Sequence, residues 1–162
     1  MKALAWMLLA MAGTALAQAA DEAQIDVSGK LIAPPCTARF AATQQVDLGK
    51  VNLNQLADDS AVATDVQLVF DCKGDTQVSL MLSAGLGSAD NQTLLTSRTG
   101  LGLQVGLWHK NAKADVNLGQ TGTWPVADEP LALTLRVKPV SLGELPEAGS
   151  YKATLLMQMT YR

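Results

Sequence analysis

Histidine, cysteine and aromatic residues are scarce in this chain of 162 residues. It contains one histidine and two cysteines, and aromatic residues make up 4% of it. Catalytic bases and zinc or copper sites draw heavily on histidine and cysteine. The sequence also contains no nucleophile elbow, phosphate-binding loop or metal-spaced cluster. The composition therefore argues against an enzyme, and it predicts neither a cofactor nor a metal site.

A few side chains could act in catalysis or bind a metal, but the sequence does not indicate the partner residues that they would need. His109 has no evident orienting group or nucleophile, so we interpret it as a solvated loop residue. Asp58-Asp59 and Asp128-Glu129 are neighbours whose side chains point in opposite directions on an extended chain, which predicts turn residues rather than an acid–base pair. Met157 and Met159 offer sulfur to a soft metal, but apolar packing is the favoured interpretation.

Two tryptophans and a sequon leave alternatives open. Trp108 and Trp124 would stack on a sugar ring if they were exposed, and would pack at the ends of the fold if they were buried. Asn91-Gln92-Thr93 matches a glycosylation sequon, which matters only in a host that uses it.

Positive charge and long apolar runs are also limited. The formal net charge is −3, which argues against nucleic acid or an anionic membrane surface as a partner. One apolar run, Ala3–Ala12, follows Lys2 and precedes Ala15-Leu16-Ala17, which predicts a signal peptide over residues 1–17, with cleavage after Ala19 as an alternative. Its removal would take away Lys2 and lower the net charge from −3 to −4. No later run is long enough to cross a bilayer.

The two cysteines, Cys36 and Cys72, are predicted to form a disulfide. An exported chain with two cysteines usually pairs them, whereas free thiols or half of a metal site are the alternatives. Closing a loop of this size would stabilise the fold by about 4 kcal/mol.

Most of the chain alternates apolar and polar residues with a period of two, which is typical of strands with one buried face. Turn-forming residues separate these segments, and a helical turn is predicted only near Asn54–Asp58. Several short strands of this kind predict a single all-β sandwich domain. The predicted strands are a short one at Val46–Leu48, with a slip in phase at Gly49, and further ones at residues 65–72, 76–82, 101–107, 131–137 and 151–162.

The strands at the two ends are unusual. Residues 23–33 place apolar or small residues at odd positions, and the even positions from 24 to 30 are polar. Gly29 leaves a gap in that apolar face, and Pro34-Pro35 separates the segment from the sheet that begins near Cys36. The last segment is apolar on one face, and no segment follows it to pair with its outer edge. We therefore expect the first strand either to bury its face elsewhere or to remain mobile, and the last strand to leave an open edge.

A series of short motifs occurs in a fixed order along nearly the whole chain after the predicted signal peptide. They are Ile25-x-Val27-x-Gly29-Lys30-Leu31, Pro35-Cys36-Thr37, Val46-Asp47-Leu48-Gly49, Leu68-x-Phe70-x-Cys72, Leu101-Gly102-Leu103-Gln104-Val105, Gly149-x-Tyr151-x-Ala153 and a penultimate Tyr161. In this combination the sequence resembles the pilin subunits of chaperone–usher pili, the type 1 and P pilus family of Gram-negative bacteria.

The resemblance implies an incomplete immunoglobulin-like β-sandwich that lacks its last strand and is completed in trans by a donor strand. It implies a signal peptide at 1–17, a donor-strand extension at 18–34 and a pilin domain at 35–162. It also implies a periplasmic chaperone, an outer-membrane usher and neighbouring subunits as partners, and export through the periplasm to a cell-surface fimbrium that supports adhesion. The alternative is a single-domain, sugar-binding fimbrial adhesin.

The resemblance also assigns residues to the two halves of strand exchange. The donor residues would be Ala23, Ile25, Val27, Gly29 and Leu31, although Ala23 is smaller than the residue often found at the start of a donor face. The acceptor groove and chaperone-facing strand would comprise Gly149, Ala153, Leu155, Met157, Met159, Tyr161 and Arg162, with the Arg162 carboxylate as the anchor point for the chaperone.

Overall fold

The computed structural model describes residues 27–31 and 33–162. The chain divides into two units, residues 1–32 and residues 33–162, and the second unit carries all the regular secondary structure among the described residues. Its elements are β1 (Cys36–Ala38), α1 (Leu53–Ala57), β2 (Thr64–Cys72), β3 (Thr76–Ala84), β4 (Thr93–Leu95), β5 (Leu101–His109), β6 (Ala112–Lys113), β7 (Thr121–Val126), β8 (Leu131–Ser141) and β9 (Leu155–Tyr161).

The strands form two antiparallel sheets. The larger sheet has the order β1-β2-β8-β5-β4, and β6 pairs with β5 beside it. The smaller sheet has the order β7-β3-β9. Every pairing is antiparallel, as expected for the predicted sandwich, because short turns can then join neighbouring strands. The all-β, immunoglobulin-like class predicted from the sequence is confirmed.

One core lies between the two sheets, and it is built by the alternation that the sequence displays. Strand β8 buries every second side chain from Leu131 to Pro139, because successive side chains on a strand point to opposite faces. The innermost side chains come from both sheets and are Phe70, Val78, Leu80, Leu82, Leu107 and Leu133.

The disulfide predicted between Cys36 and Cys72 is confirmed. It joins β1 to β2, where the two cysteines are also register partners. This link ties the start of the described domain to the larger sheet, directly after Pro34-Pro35.

The predicted helical turn is present as α1. Asn52 caps its first turn, because the Asn52 side chain accepts a hydrogen bond from the Asn54 N–H at 3.0 Å, and the Gln55 side chain accepts one from the Asn52 N–H at 3.0 Å. Leu56 is buried in a small second cluster with Ala61 and Leu101.

The strand predictions need corrections, and the short strands β4 and β6 were also not predicted. Val46–Leu48 is extended but is not a strand, because it has no ladder partner among the described residues. The last strand begins at Leu155 rather than residue 151. Strand β7 was not predicted, because Gly122 and Pro125 resemble turn residues, although proline is tolerated on an edge strand such as this one.

Candidate functional site

Strand β9 presents an apolar face that is incompletely covered. Its side chains alternate between half-buried and exposed, and the half-buried set packs against the core: Leu155, Met157, Met159 and Tyr161. On the neighbouring strand β3, by contrast, Val78 and Leu80 are 0% exposed. The two strands belong to the same sheet, so the core is open along the outer side of β9.

The outer edge of β9 also carries unpaired backbone groups. Within the described part of the chain β9 pairs with β3 alone. That pairing continues beyond the strand, because Arg162 and Gln77 exchange two backbone hydrogen bonds of 2.7 and 3.0 Å. On the opposite edge, the free N–H and C=O groups are a template for another strand.

A second segment, residues 40–51, forms no strand and contacts the same core. Phe40 packs edge-to-face against Phe70, with ring centroids 5.2 Å apart, and Leu48 packs against the core together with the inward side chains of β9. Val51 joins the small cluster around Leu56. Among the described residues, no backbone–backbone hydrogen bond involves residues 40–51. The Gly49 N–H donates to the Asp47 carboxylate at 2.8 Å, and the other backbone groups of this segment make no hydrogen bond to the backbone of the described residues.

We call the apolar surface formed by Leu48, Ala153, Leu155, Met157, Met159 and Tyr161 the edge groove. Its chemistry is simple: half-buried apolar side chains lie on its floor, and backbone donors and acceptors lie at the edge of β9 and along residues 40–51. An extended peptide with alternating apolar side chains would satisfy both features, because it offers a hydrogen-bonding backbone and one apolar face.

Tyr151 lies near one end of the edge groove and contacts both the main core and the cluster around Leu56. Its pKa is raised above the ordinary value of tyrosine, first by burial and then by the negative charge of Asp47. Its hydroxyl is buried and has no hydrogen-bond partner among the described residues. Burial alone raises the pKa of Tyr161, near the other end of the edge groove.

The segment before β9 contacts the loop between β4 and β5. The Ser97 N–H donates to the Lys152 carbonyl at 2.8 Å, and the Lys152 N–H donates to the Ser97 hydroxyl at 3.0 Å. Gly149 has a φ of +148°, and a Cβ there would lie 2.2 Å from the guanidinium of Arg98. The backbone conformation at this bend therefore favours glycine, whereas the end of the flexible Arg98 side chain could move away from a Cβ.

The predicted acceptor residues fall into two groups. Leu155, Met157, Met159 and Tyr161 share one face of β9, and Ala153 precedes them on the same side of the core. Gly149 lies in the exposed bend before β9, and Arg162 is exposed just beyond it. The sequence did not associate residues 40–51 with the acceptor residues, although the Val46-Asp47-Leu48-Gly49 motif lies within this segment.

The predicted donor residues are described only in part. Ala23 and Ile25 lie outside the described residues, as does the predicted signal peptide. Val27 and Leu31 are 92% and 100% exposed, and Gly29 has no atom within 4 Å of the position where a Cβ would stand. The described part of the donor segment thus presents apolar side chains to solvent.

The other candidates from the sequence lie apart from the edge groove. His109 ends β5, beside a turn in which Lys110 and Asn111 have positive φ. Trp124 is buried, with 8% exposed, whereas Trp108 is half-buried. Across residues 27–31 and 33–162, no group of three or more histidine, cysteine or acidic side chains is placed to hold a metal ion. No helix in these ranges is long and apolar enough to span a membrane.

Several solved structures share this fold. The P pilus rod subunit PapA matches with a TM-score of 0.56 and 20% identity, over 79% of this chain and 99% of that chain. A chaperone–usher pilus structure matches with a TM-score of 0.54 and 18% identity, over 93% of this chain and 100% of that chain. The P pilus adaptor subunit PapF matches with a TM-score of 0.50 and 20% identity, over 80% and 97%.

The fold is therefore that of chaperone–usher pilus subunits. At the level of sequence, the family model described as fimbrial protein matches residues 25–162, so the chain belongs to the fimbrial protein family. No curated protein matches the sequence. The family is one of structural subunits rather than enzymes, which implies neighbouring subunits as partners and a place in a surface fimbrium. The family predicted from the short motifs is confirmed.

Proposed function

We propose that this chain is a structural or adaptor subunit that polymerises by donor-strand exchange. Residues 18–34 would fill the edge groove of another subunit, and the edge groove of this chain would receive the corresponding strand of a neighbour. The observation that carries the proposal is the half-covered apolar face of β9, whose outer edge has no strand partner in the described ranges.

The length of the proposed donor segment suits the edge groove. The nine residues from Ala23 to Leu31 would extend over about 26 Å, and the seven residues of β9 over about 20 Å, at roughly 3.3 Å per residue. Such a strand would cover β9 from end to end, and its odd positions would reach the apolar floor while its backbone pairs with the free edge.

The sequence proposes the domains 1–17, 18–34 and 35–162, and two observations support the boundary near residue 34. The chain divides into two units between residues 32 and 33, and the disulfide anchors the second unit from Cys36 onward. Pro34-Pro35 lies between these points. This arrangement would leave the donor segment free to enter another molecule.

An open apolar edge is an aggregation hazard until it is filled. We therefore propose that a periplasmic chaperone covers the edge groove first, with Arg162 at its anchor point, and that exchange for a subunit's donor strand takes place at an outer-membrane usher. The chain would thus pass through the periplasm to the fimbrium, where it would support adhesion of the cell.

The proposal is tested with a variant that begins at Pro35, purified with its chaperone, and a peptide of residues 18–33. The truncated subunit should accept the peptide but donate to no other subunit, as judged by native gel shift and polymer assays. A peptide carrying Val27→Asp should not insert, because it would bury a charge among apolar side chains. The matched Ser28→Asp peptide, changed on the polar face, should still insert. Polymerisation of the truncated subunit at the normal rate would refute the donor assignment.

A further inference from the structure

The outer face of the larger sheet carries a depression that the proposed strand exchange does not use. It has a volume of about 220 Å³, and its lining includes Gln104, Gly106, Trp108, Lys113, Arg136 and Lys138. Strands β5 and β8 pair there, since Gly106 is the register partner of Arg136 and Gln104 is the register partner of Lys138. We call it the outer-face depression.

The floor of the outer-face depression is formed by a tryptophan ring that rests on a strand. A Cβ at Gly106 would lie 2.7 Å from the six-membered ring of Trp108, which is closer than carbon atoms approach. Glycine at this position therefore lets the indole lie over the sheet. Trp108 is half-buried, so part of its apolar surface stays accessible.

Two cations lie over this ring. The Arg136 guanidinium carbon lies 4.6 Å from the ring centroid of Trp108, and the Lys113 Nζ lies 5.9 Å from it. Both distances are within the range of cation–π attraction. The ring thus helps to fix the positions of the charged groups beside it.

Polar partners outside the lining hold all three cations. Arg136 donates to both carboxylate oxygens of Asp65, from Nε at 2.7 Å and Nη2 at 2.8 Å. Lys138 donates to the side chain and the carbonyl of Asp59, at 2.8 and 2.9 Å. Among the described residues, the Nη1 atom of Arg136 makes no hydrogen bond.

Lys113 donates to the Oε1 atom of Gln92 at 3.1 Å, which leaves two of its three N–H donors for another acceptor. The lining itself contains three cations and no carboxylate, in a chain with more acidic than basic residues. Asp59 and Asp65 offset two of these positive charges, so the net electrostatic attraction for an anion is small. An anion would be bound mainly by hydrogen bonds from donors that are already oriented.

We propose that the outer-face depression binds a sugar ring that bears a carboxylate. The carboxylate would accept hydrogen bonds from Lys113 and Arg136. An apolar face of the sugar ring would lie against the part of Trp108 that the two cations leave accessible, and the Gln104 amide would meet a hydroxyl group. Pockets for drug-sized ligands start at about 300 Å³, so this volume suits a single ring.

The test is a titration with glucuronic acid of the full chain, in the assembly in which it is isolated. Fluorescence follows Trp108, and saturation-transfer NMR follows the contacts of the sugar ring. Glucose and acetate are the comparison ligands, because glucose has the sugar ring without the carboxylate and acetate has the carboxylate without the sugar ring. Glucuronic acid should bind saturably, and both comparison ligands should bind more weakly. Lys113→Gln should weaken the binding of glucuronic acid about tenfold, as expected for the loss of a charge-assisted hydrogen bond.

Lys73→Gln is the matched control, because Lys73 is exposed and does not line the outer-face depression; it should leave binding unchanged. Trp108→Phe should weaken the binding of glucuronic acid while leaving the assembly of the chain intact. Three results would overturn the proposal: no saturable binding at millimolar concentration, acetate binding as tightly as glucuronic acid, or Lys113→Gln binding with unchanged affinity.

Discussion

Met157 faces the core from the middle of β9, and its side chain is half covered. Met157→Asp should abolish co-purification with a pilus chaperone, because the carboxylate would enter an apolar groove that a bound strand closes off from water. Gln158→Asp is the matched control, because Gln158 is exposed on the opposite face. Pull-down from the periplasm measures both variants, and retention of the chaperone by Met157→Asp would contradict the acceptor assignment.

Tyr151 carries a buried hydroxyl that no described residue satisfies. Tyr151→Phe should therefore leave the free energy of unfolding unchanged or raise it by up to about 1 kcal/mol, since an unpaired buried donor is destabilising. Urea unfolding at neutral pH measures this difference. A loss of stability would indicate a partner for the hydroxyl.

The raised pKa of Tyr151 predicts a pH effect as well. A raised pKa means that the folded state keeps the phenol proton when the unfolded state has lost it, so stability falls as the pH rises through and above about 10. Tyr151→Phe should make this alkaline loss shallower without removing it, because burial also raises the pKa of Tyr161. Unfolding midpoints between neutral and strongly alkaline pH provide the measurement.

Gly29 interrupts the apolar face of the proposed donor segment. Gly29→Leu should slow or block donation to another subunit, because a large side chain would prevent a close approach of the backbone to the edge groove. The fold and chaperone binding of the variant subunit should be unaffected, because nothing packs against Gly29 in the described residues. Exchange kinetics with a labelled donor peptide measure the effect, and a normal rate would remove the role proposed for the glycine.

At the scale of elements, strand β1 depends on the disulfide more than on its own ladder. It has three residues and pairs with β2 alone among the described strands. Replacing both cysteines with serine should reduce the free energy of unfolding by about 4 kcal/mol, the value expected for a loop of this length. Chemical denaturation of the chaperone-free, peptide-filled subunit measures it, with the oxidised parent as control. An unchanged midpoint would show that the pairing of β1 and β2 holds the end without the covalent link.

The strands differ in how far the sequence predicts them. Strands β2, β3, β5 and β8 were predicted from alternation, because each lies with one face on the core. Val46–Leu48 has the same alternation but no ladder, because hydrogen bonding depends on a neighbour that sequence pattern does not reveal. Strand β7 was not predicted, because it contains Gly122 and Pro125, which are uncommon in strands. It lies at the edge of its sheet, where proline is tolerated.

At the scale of the whole molecule, the proposed donor segment and edge groove make each subunit a link with two different ends. Head-to-tail contacts of this type produce open polymers. Subunits that begin at Pro35 should therefore end chains, since they accept a strand but have none to give. Mixing increasing fractions of them with intact subunits should shorten the polymers progressively, as measured by electron microscopy. Polymer length independent of the fraction would contradict the proposed polarity.

The site was predicted unevenly. The inward residues of β9 follow from the alternation between residues 151 and 162, so the sequence was sufficient to place Met157 and Met159 on one face. Leu48 and the unpaired backbone around it were not recognised as part of the same groove, because they are far from β9 in the chain. The cations around Trp108 were likewise not associated, since β5, β6 and β8 bring them together only in the folded sheet.

The sequence by itself determined that this chain is an all-β protein with a disulfide, an amphipathic segment before Pro34-Pro35 and a last apolar strand. These properties follow from residue type and a period of two, which are local. Only the tertiary structure decided that β9 pairs with β3, that its inward side chains are half covered, and that a segment without a strand partner packs on the same core. Those properties depend on which strands become neighbours, and the packing of the two sheets determines that choice.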